Sequence, residues 1–188
     1  MVAFAGPRRF RIGTALVMAG GLLTIPLADS RAEIGSLGQV AGWEIDVDPD
    51  QEICSMTTDS GPDGQDSLSL VETPDQTMSV IASSDTWDLG ASSQMPVTLA
   101  IGASYSLKST GYTTDDGVSL IVVLGDDHRF LKAIADGRRL NVSVDHTTLS
   151  FRLTGAERAL GAVAACLVNL KSGGGGEDNA PPTGNLSL

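Results

Sequence analysis

A histidine beside an aspartate is the arrangement in this sequence that could support hydrolysis. His146 follows Asp145, and one of the many serines could complete a Ser/His/Asp triad, in which the imidazole accepts a proton from the serine hydroxyl. The other histidine, His128, lies in the first turn of a predicted helix. Because turns favour such residues for backbone reasons, we interpret the 145–146 pair as part of a hairpin turn rather than of a catalytic site.

Two pairs of adjacent carboxylates offer a second route to catalysis, since one carboxyl group can donate a proton to a substrate while the other accepts one from it. The pairs are Asp115-Asp116 and Asp126-Asp127. Both fall where a turn or a helix N-cap favours aspartate. We therefore interpret both pairs as structural.

Two acidic stretches invite comparison with calcium-binding loops. Residues 46–50 carry Asp at alternate positions, as such a loop begins, but Gln51 stands where the loop needs Gly and Thr57 where it needs a bidentate Glu. The stretch 59–66 is rich in Gly and Asp, and we predict a loop there whose three acids could hold calcium only weakly.

Motifs of the common catalytic classes are absent from the sequence. It contains no Gly-x-Ser-x-Gly nucleophile elbow, no His-Glu-x-x-His zinc motif and no phosphate-binding loop ending in Gly-Lys-Ser or Gly-Lys-Thr. The sequence therefore predicts a protein that is not an enzyme and has no cofactor or metal. The alternative is a small hydrolase or a lipocalin-like ligand-binding barrel, with a polar pocket between strands near His128 or His146.

The two tryptophans, Trp43 and Trp87, have two interpretations. An exposed tryptophan often marks a contact with a protein or a carbohydrate. However, only 4% of the residues are aromatic, so the core has few other large side chains. We favour the core for both tryptophans.

The N-terminal segment has the three parts of a secretory leader. Arginines, among them the pair Arg8-Arg9, precede an apolar run at residues 12–27, and Ser-Arg-Ala at 30–32 places small residues at the two positions that a signal peptidase recognises. This pattern predicts cleavage after Ala32. A permanent membrane anchor is the weaker interpretation, because a membrane-spanning helix needs about 20 apolar residues. A twin-arginine export route fits the following residues poorly.

Removal of residues 1–32 would make the chain more acidic. It would take away four of 12 basic and one of 23 acidic residues, which leaves eight against 22 and a formal net charge of −14. Binding to phosphates requires clustered Lys and Arg, and Arg138-Arg139 is the one basic pair in that part. We expect no nucleic-acid partner, and no membrane span once the leader is cleaved.

Two cysteines, Cys54 and Cys166, lie in the part predicted to be exported. An even number of cysteines in an oxidising compartment predicts a disulfide. Their separation of 112 residues excludes a CxxC redox motif, and a zinc site would need further ligands.

Alternation of apolar and polar residues predicts that a single domain at 36–171 consists mainly of β-strands, followed by a disordered Gly-rich tail at 172–188. The run 118–124 is apolar at nearly every position, so we expect a central strand covered on both faces. The predicted strands are 43–47, 53–57, 68–72, 77–83, 96–101, 104–109, 118–124, 140–144 and 149–153.

Helical spacing occurs twice. Asp126 or Asp127 can cap a helix that ends before Gly137. Thr154 and Glu157 form a predicted capping box for a C-terminal helix. Its apolar stripe, beside which Cys166 lies, comprises Ala156, Leu160, Val163, Leu167 and Leu170. The predicted fold is mainly β (α+β): an antiparallel β-sandwich or barrel-like sheet with two short helices, the C-terminal one linked by the disulfide to an early strand.

Several short segments carry a resemblance to a known family. They are Trp87-Asp88-Leu89, Val97-Thr98-Leu99, Phe151-Arg152-Leu153-Thr154-Gly155-Ala156, Ala159-Leu160 and Cys166. Over residues 43–168 this pattern resembles the exported bacterial proteins related to invasion-associated locus B, or a related family of uncharacterised periplasmic proteins. The resemblance implies a periplasmic or surface location and, for the founding type, a role at the host-cell surface. It supplies no active-site residue. We expect an exported, non-catalytic protein-interaction module of the cell envelope, whose protein partner is unknown.

Overall fold

The computed structural model of the protein describes residues 35–172. The predicted leader at 1–32 and the tail from 173 onward lie outside the described residues. Within 35–172, no helix has both the length and the apolarity needed to cross a membrane. The helices are α1 (His128–Asp136) and α2 (Ala156–Lys171), and a short 3-10 turn covers Pro62–Gly64. The strands are β1 (Gly35–Val40), β2 (Trp43–Asp48), β3 (Ile53–Ser60), β4 (Asp66–Glu72), β5 (Met78–Ser84), β6 (Gln94–Ile101), β7 (Tyr105–Thr113), β8 (Ser119–Gly125), β9 (Arg139–Val144) and β10 (Thr147–Arg152).

The described strands form one antiparallel sheet in the order β1-β2-β3-β4-β5-β8-β7-β6-β9-β10. Most neighbours in the sheet are also neighbours in the chain, because short turns join them as hairpins. Strand β10 also lies against β3, although the two are not hydrogen-bonded neighbours. The sheet therefore curls until its two parts meet, which confirms the predicted mainly β fold with a barrel-like sheet.

The core lies on the inner face of this sheet, the face whose side chains are buried. Helix α2 packs there against β2 and β3, and the disulfide between Cys54 on β3 and Cys166 on α2 joins the helix to the sheet with a Cα–Cα distance of 6.2 Å. The predicted link between the C-terminal helix and an early strand is confirmed. The largest fully buried side chains include Trp43, Phe130, Phe151, Met56 and Ile134.

Strand β8 differs from its prediction on one face. It occupies a central place in the sheet, as predicted, and Leu120 and Val122 are buried. Val123, however, is 53% exposed, so the expectation that both faces are covered is wrong. The helices pack mainly against β1–β3 and β7, and no second layer of the described chain lies over the outer face of β8.

The predicted capping box at the start of α2 is wrong. The helix begins at Ala156, and its N-cap is Gly155 in a left-handed conformation (φ 82°) without a capping side chain. A Cβ on Gly155 would lie 2.4 Å from the carbonyl oxygen of Ala41. The carbonyl of Thr154 instead accepts a hydrogen bond from Trp43 Nε1 at 3.1 Å. Contacts with the β1–β2 turn and β2 therefore determine where α2 begins.

Candidate functional site

His146 and Asp145 lie in the turn between β9 and β10, as the sequence predicts. Their side chains approach to 3.5 Å (Nε2 to Oδ1) but are 95% and 76% exposed. The three described cavities, of about 420, 270 and 170 Å³, have no histidine in their linings. Asp145 contributes to the lining of the cavity of about 270 Å³, but none of the described cavities is lined by both the histidine and the aspartate.

The Asp115-Asp116 pair closes the turn between β7 and β8. Asp116 Oδ1 accepts hydrogen bonds from Thr114 Oγ1 at 2.6 Å and from the Val118 amide at 3.2 Å. The hydrogen bond from Thr114, and then that from the amide, lower the pKa of Asp116. Asp115 accepts a hydrogen bond from Ser92 Oγ at 2.5 Å. The predicted turn role of this pair is confirmed.

Asp127 of the second pair is the N-cap of α1. Its Oδ1 accepts from the amides of Arg129 (3.0 Å) and Phe130 (3.2 Å), and its Oδ2 accepts from the Tyr105 hydroxyl at 2.9 Å. Burial alone would raise the pKa of Asp127, but the hydrogen bonds from Tyr105 and the two amides hold it below its ordinary value. Burial and the bond to Asp127 raise the pKa of Tyr105. This carboxylate joins α1 to β7 and has a structural role.

We expect Asp127→Ala to lower the free energy of unfolding by about 1–2 kcal/mol at neutral pH, because two amides and a hydroxyl lose their acceptor. Since the folded-state pKa is lowered from 3.8, this stabilisation is complete above the unfolded-state pKa and is lost as the pH falls through the folded-state value. Urea unfolding at several pH values measures it. Asp126→Ala is the matched control, since Asp126 is exposed and contributes its backbone carbonyl. Equal losses in both variants would contradict the assignment.

The two acidic stretches use carboxylates in the protein's own hydrogen bonds. In 46–50, buried Asp48 accepts from two backbone amides and one side-chain amide of the following turn. In 59–66, Asp66 accepts from Ser84 Oγ at 2.6 Å. No group of three His, Cys, Asp or Glu side chains in residues 35–172 is placed to hold a metal ion.

Trp43 and Trp87 are both buried, with exposed fractions of 1% and 6%. The interpretation of both as core residues is confirmed. Within the described residues, the indole nitrogen of Trp87 has no hydrogen-bond partner.

An uncharged surface covers the outer side of three adjacent strands, β4, β5 and β8, and reaches Tyr112 on β7, whose outer face carries Lys108 four residues away. The strand register places its side chains in cross-strand rows; Ser69, Ile81, Ile121 and Tyr112, for example, lie side by side. We call this surface the uncharged face. It comprises Ser67, Ser69, Val71, Ser79, Ile81, Ser83, Tyr112, Ser119, Ile121 and Val123.

The uncharged face presents carbon more than free hydroxyl groups. Tyr112 is 46% exposed and Val123 53% exposed. Three of its serines form side-chain hydrogen bonds. The hydroxyls of Ser83 and Ser119 lie 2.8 Å apart, and that of Ser69 lies 2.8 Å from the hydroxyl of Thr57. Exposed apolar patches of this kind often mark contact surfaces. The sequence did not reveal this face, because the apolar run of β8 was interpreted as covered on both sides.

A groove of about 420 Å³ lies where the β9–β10 hairpin approaches the end of β3. We call it the seam groove; its lining is Asp59, Ser60, Gly61, Arg139, Ser150 and Arg152. Arg139 and Arg152 lie directly opposite each other in the antiparallel ladder, so their side chains share one face. The sequence drew attention only to Arg138-Arg139. If the residues of the two strands are paired one by one outward from the predicted turn at 145–146, Arg139 comes to lie opposite Arg152.

The inner face of the sheet forms one continuous core of buried apolar side chains. Of the smaller cavities, the one of about 270 Å³ lies beside Leu89 and Met95, and that of about 170 Å³ lies between α2 and the 73–76 turn. No described cavity has a histidine in its lining, although that of about 270 Å³ includes Asp145, the neighbour of His146.

Comparison with known proteins gives one informative result. No protein-family model matches the sequence, and no curated protein matches it either. The fold is similar to that of the crystal structure of invasion associated protein B from Bartonella henselae. The two share 18% sequence identity with a TM-score of 0.50, over 68% of this chain and 94% of that one. The similarity is one of fold. It supports the resemblance inferred from the sequence at that level, and at this identity it assigns no role to any residue.

Proposed function

We propose that this chain is an exported, non-catalytic protein of the cell envelope, periplasmic or on the cell surface, that binds another protein through the uncharged face. The observation that carries the proposal is the exposure of apolar side chains on β8 and β7, where Val123 and Tyr112 are 53% and 46% exposed. When a partner covers exposed apolar side chains on a sheet, it removes their surface from water, and this burial favours binding.

The proposed location is supported by three observations. The disulfide between Cys54 and Cys166 is of a kind that persists in oxidising compartments. The residues preceding the described part predict a cleaved leader. The fold is similar to that of a protein described as invasion associated, which supports extending the proposal to contact with a host cell.

Acidic residues at one end of the uncharged face indicate the charge of the partner. Asp59 pairs with Ser67 at the edge of the face in the β3–β4 ladder, and Asp115 and Asp116 lie in the turn that leads into Ser119. All three carboxylates belong to exposed residues. The partner should therefore present an apolar centre flanked by Lys or Arg on that side, because electrostatic complementarity favours such a pairing. A second copy of this chain would bring like charges together.

Capture from an envelope extract with wild type and two variants tests the proposal. Val123→Asp places a charge on the most exposed apolar side chain of the uncharged face, and Val168→Asp makes the same change at an exposed valine of α2, 62% exposed and outside the face. We expect wild type and Val168→Asp to retain a common partner, and Val123→Asp to retain at least about tenfold less, since a buried unpaired charge costs well over 1.4 kcal/mol.

Salt dependence and oligomeric state complete the test. Binding of the identified partner should weaken as the salt concentration rises, because the proposed rim contacts are screened. Equal retention by Val123→Asp and Val168→Asp would overturn the assignment of the face. A wild-type dimer that Val123→Asp dissociates would overturn the assignment of the partner.

A further inference from the structure

The seam groove places two arginines where they repel each other. Arg139 and Arg152 are directly opposite in the β9–β10 ladder, and like charges in that position destabilise a sheet. Within residues 35–172, neither guanidinium lies within ion-pairing distance of a carboxylate. Residues 33–188 hold 22 acidic and eight basic residues, so two adjacent arginines without a carboxylate partner indicate a site for an anionic group.

A hydrogen bond on the hairpin restrains the exposed side chain of Arg139. Its Nη1 donates to Ser150 Oγ at 3.0 Å, and Ser150 Oγ in turn donates to Asn141 Oδ1 at 2.7 Å. All three residues lie on the outer face of the β9–β10 hairpin. One of the five N–H groups of this guanidinium is used, and the others remain for an acceptor outside the protein. A preorganised arginine of this kind binds a planar carboxylate with two parallel hydrogen bonds.

The groove excludes several classes of ligand by its lining. None of its lining side chains is apolar or aromatic, so the groove does not suit a lipid or an aromatic ring. The carboxylate of Asp59 lies in the same groove, which disfavours a multiply charged anion such as phosphate. Asp59 can instead accept hydrogen bonds from neutral hydroxyl groups, and Ser60 can donate or accept.

We propose that the seam groove binds a singly charged, carboxylate-bearing saccharide of the uronic-acid type. Arg139 and Arg152 hold the carboxylate, and Asp59 with Ser60 holds sugar hydroxyl groups. The groove, of about 420 Å³, is within the range of known small-molecule sites. This site shares Asp59 with the edge of the uncharged face, but none of its other lining residues belongs to that face, and the inference does not depend on the proposed protein contact.

Titration with sodium glucuronate, followed by NMR of the oxidised protein, tests the inference. We expect chemical-shift changes at residues 59–61 and 150–152. Arg152→Gln should weaken binding at least tenfold, and Arg152→Lys should weaken it less, since lysine keeps the charge but not the planar fork. Arg158→Gln is the matched control, because Arg158 is an exposed arginine of α2 that does not line the groove. It should leave the affinity unchanged.

Three further probes separate the parts of the proposal. Glucose lacks the carboxylate and should cause no shifts at the arginines, while acetate lacks the hydroxyl groups and should bind more weakly than glucuronate. Inorganic phosphate should also bind more weakly. Binding of phosphate or acetate as tight as that of glucuronate would overturn the ligand class. Absence of shifts with glucuronate, or equal weakening in Arg152→Gln and Arg158→Gln, would overturn the site.

Misfolding of the variant does not complicate this test. Arg152 is exposed, and its removal relieves repulsion from Arg139, so Arg152→Gln should melt at the same temperature as wild type or slightly higher at low salt. A lowered melting temperature would show that Arg152 has a structural role, which would contradict the proposal.

Discussion

Replacement of both Cys54 and Cys166 by serine is expected to lower the free energy of unfolding by about 4 kcal/mol. The disulfide closes a separation of 112 residues. In the chain-entropy account, a loop of that length restricts the unfolded ensemble by close to 5 kcal/mol. Both cysteines are buried, with exposed fractions of 0% and 4%, so the serine hydroxyls add a cost of burial in the folded state.

The effect should be largest in α2. The disulfide joins this helix to β3, and α2 also packs against β3, β2, β1 and α1. Without the link, undocking of α2 requires only the loss of packing against these elements. Amide hydrogen exchange in α2 should therefore accelerate more than exchange in the central strands, because a segment with weaker tertiary anchoring opens more readily.

Urea unfolding of the oxidised wild type and of the double serine variant measures the difference in free energy. Wild type treated with a reductant should resemble the variant, while the variant should not respond to the reductant. For a domain of this size, a loss of 4 kcal/mol corresponds to a fall in melting temperature on the order of 10–15 °C. Two titratable thiols in the unreduced, denatured wild type would contradict the disulfide.

Gly155→Ala is expected to lower the free energy of unfolding by about 2–4 kcal/mol, because two costs combine there. The residue has a φ of 82°, a left-handed conformation that disfavours any Cβ. That Cβ would also lie 2.4 Å from the Ala41 carbonyl oxygen and 2.6 Å from the Ala41 Cβ. Because the first of these contacts is with backbone, the turn between β1 and β2 would have to move.

Gly161→Ala supplies the matched control for the same substitution. Gly161 lies within α2, is exposed, and a Cβ there would meet nothing within 4 Å. Alanine in an exposed helix interior is favoured over glycine, so this variant should gain about 0.5–1 kcal/mol. Thermal unfolding of both variants gives the comparison. A loss below about 1 kcal/mol in Gly155→Ala would show that the turn adapts easily to the added carbon.

The sequence predicted those features that depend on residues close together in the chain. The Asp127 cap is one, since the aspartate and the amides that it accepts from lie within three residues. The alternation of Trp43 and Ile45 with Glu44 is another, since both apolar side chains are buried and Glu44 is exposed. The disulfide followed for a different reason, because only two cysteines were available in the part predicted to be exported.

Features that depend on distant contacts were missed or wrongly predicted. Thr154 and Glu157 match a capping box, but Gly155 became the N-cap because Ala41 lies against it. The apolar residues of β8 suggested two covered faces, yet Val123 is exposed because no described element packs over it. The pattern of neighbouring residues does not show which element, if any, will pack over a strand.

For this protein, the sequence by itself determined nine of the ten described strands, all except β1, together with the cap of α1 and the partner of each cysteine; export stays a prediction. These features can be predicted because the spacing of apolar residues follows the repeat of a strand or a helix, and because a cap depends on residues close together in the chain. Only the tertiary structure decided that Val123 and Tyr112 share an uncharged face and that Arg139 and Arg152 meet Asp59 across a groove. Those neighbours are created by the order and curvature of the strands, in which residues far apart in the chain pack together.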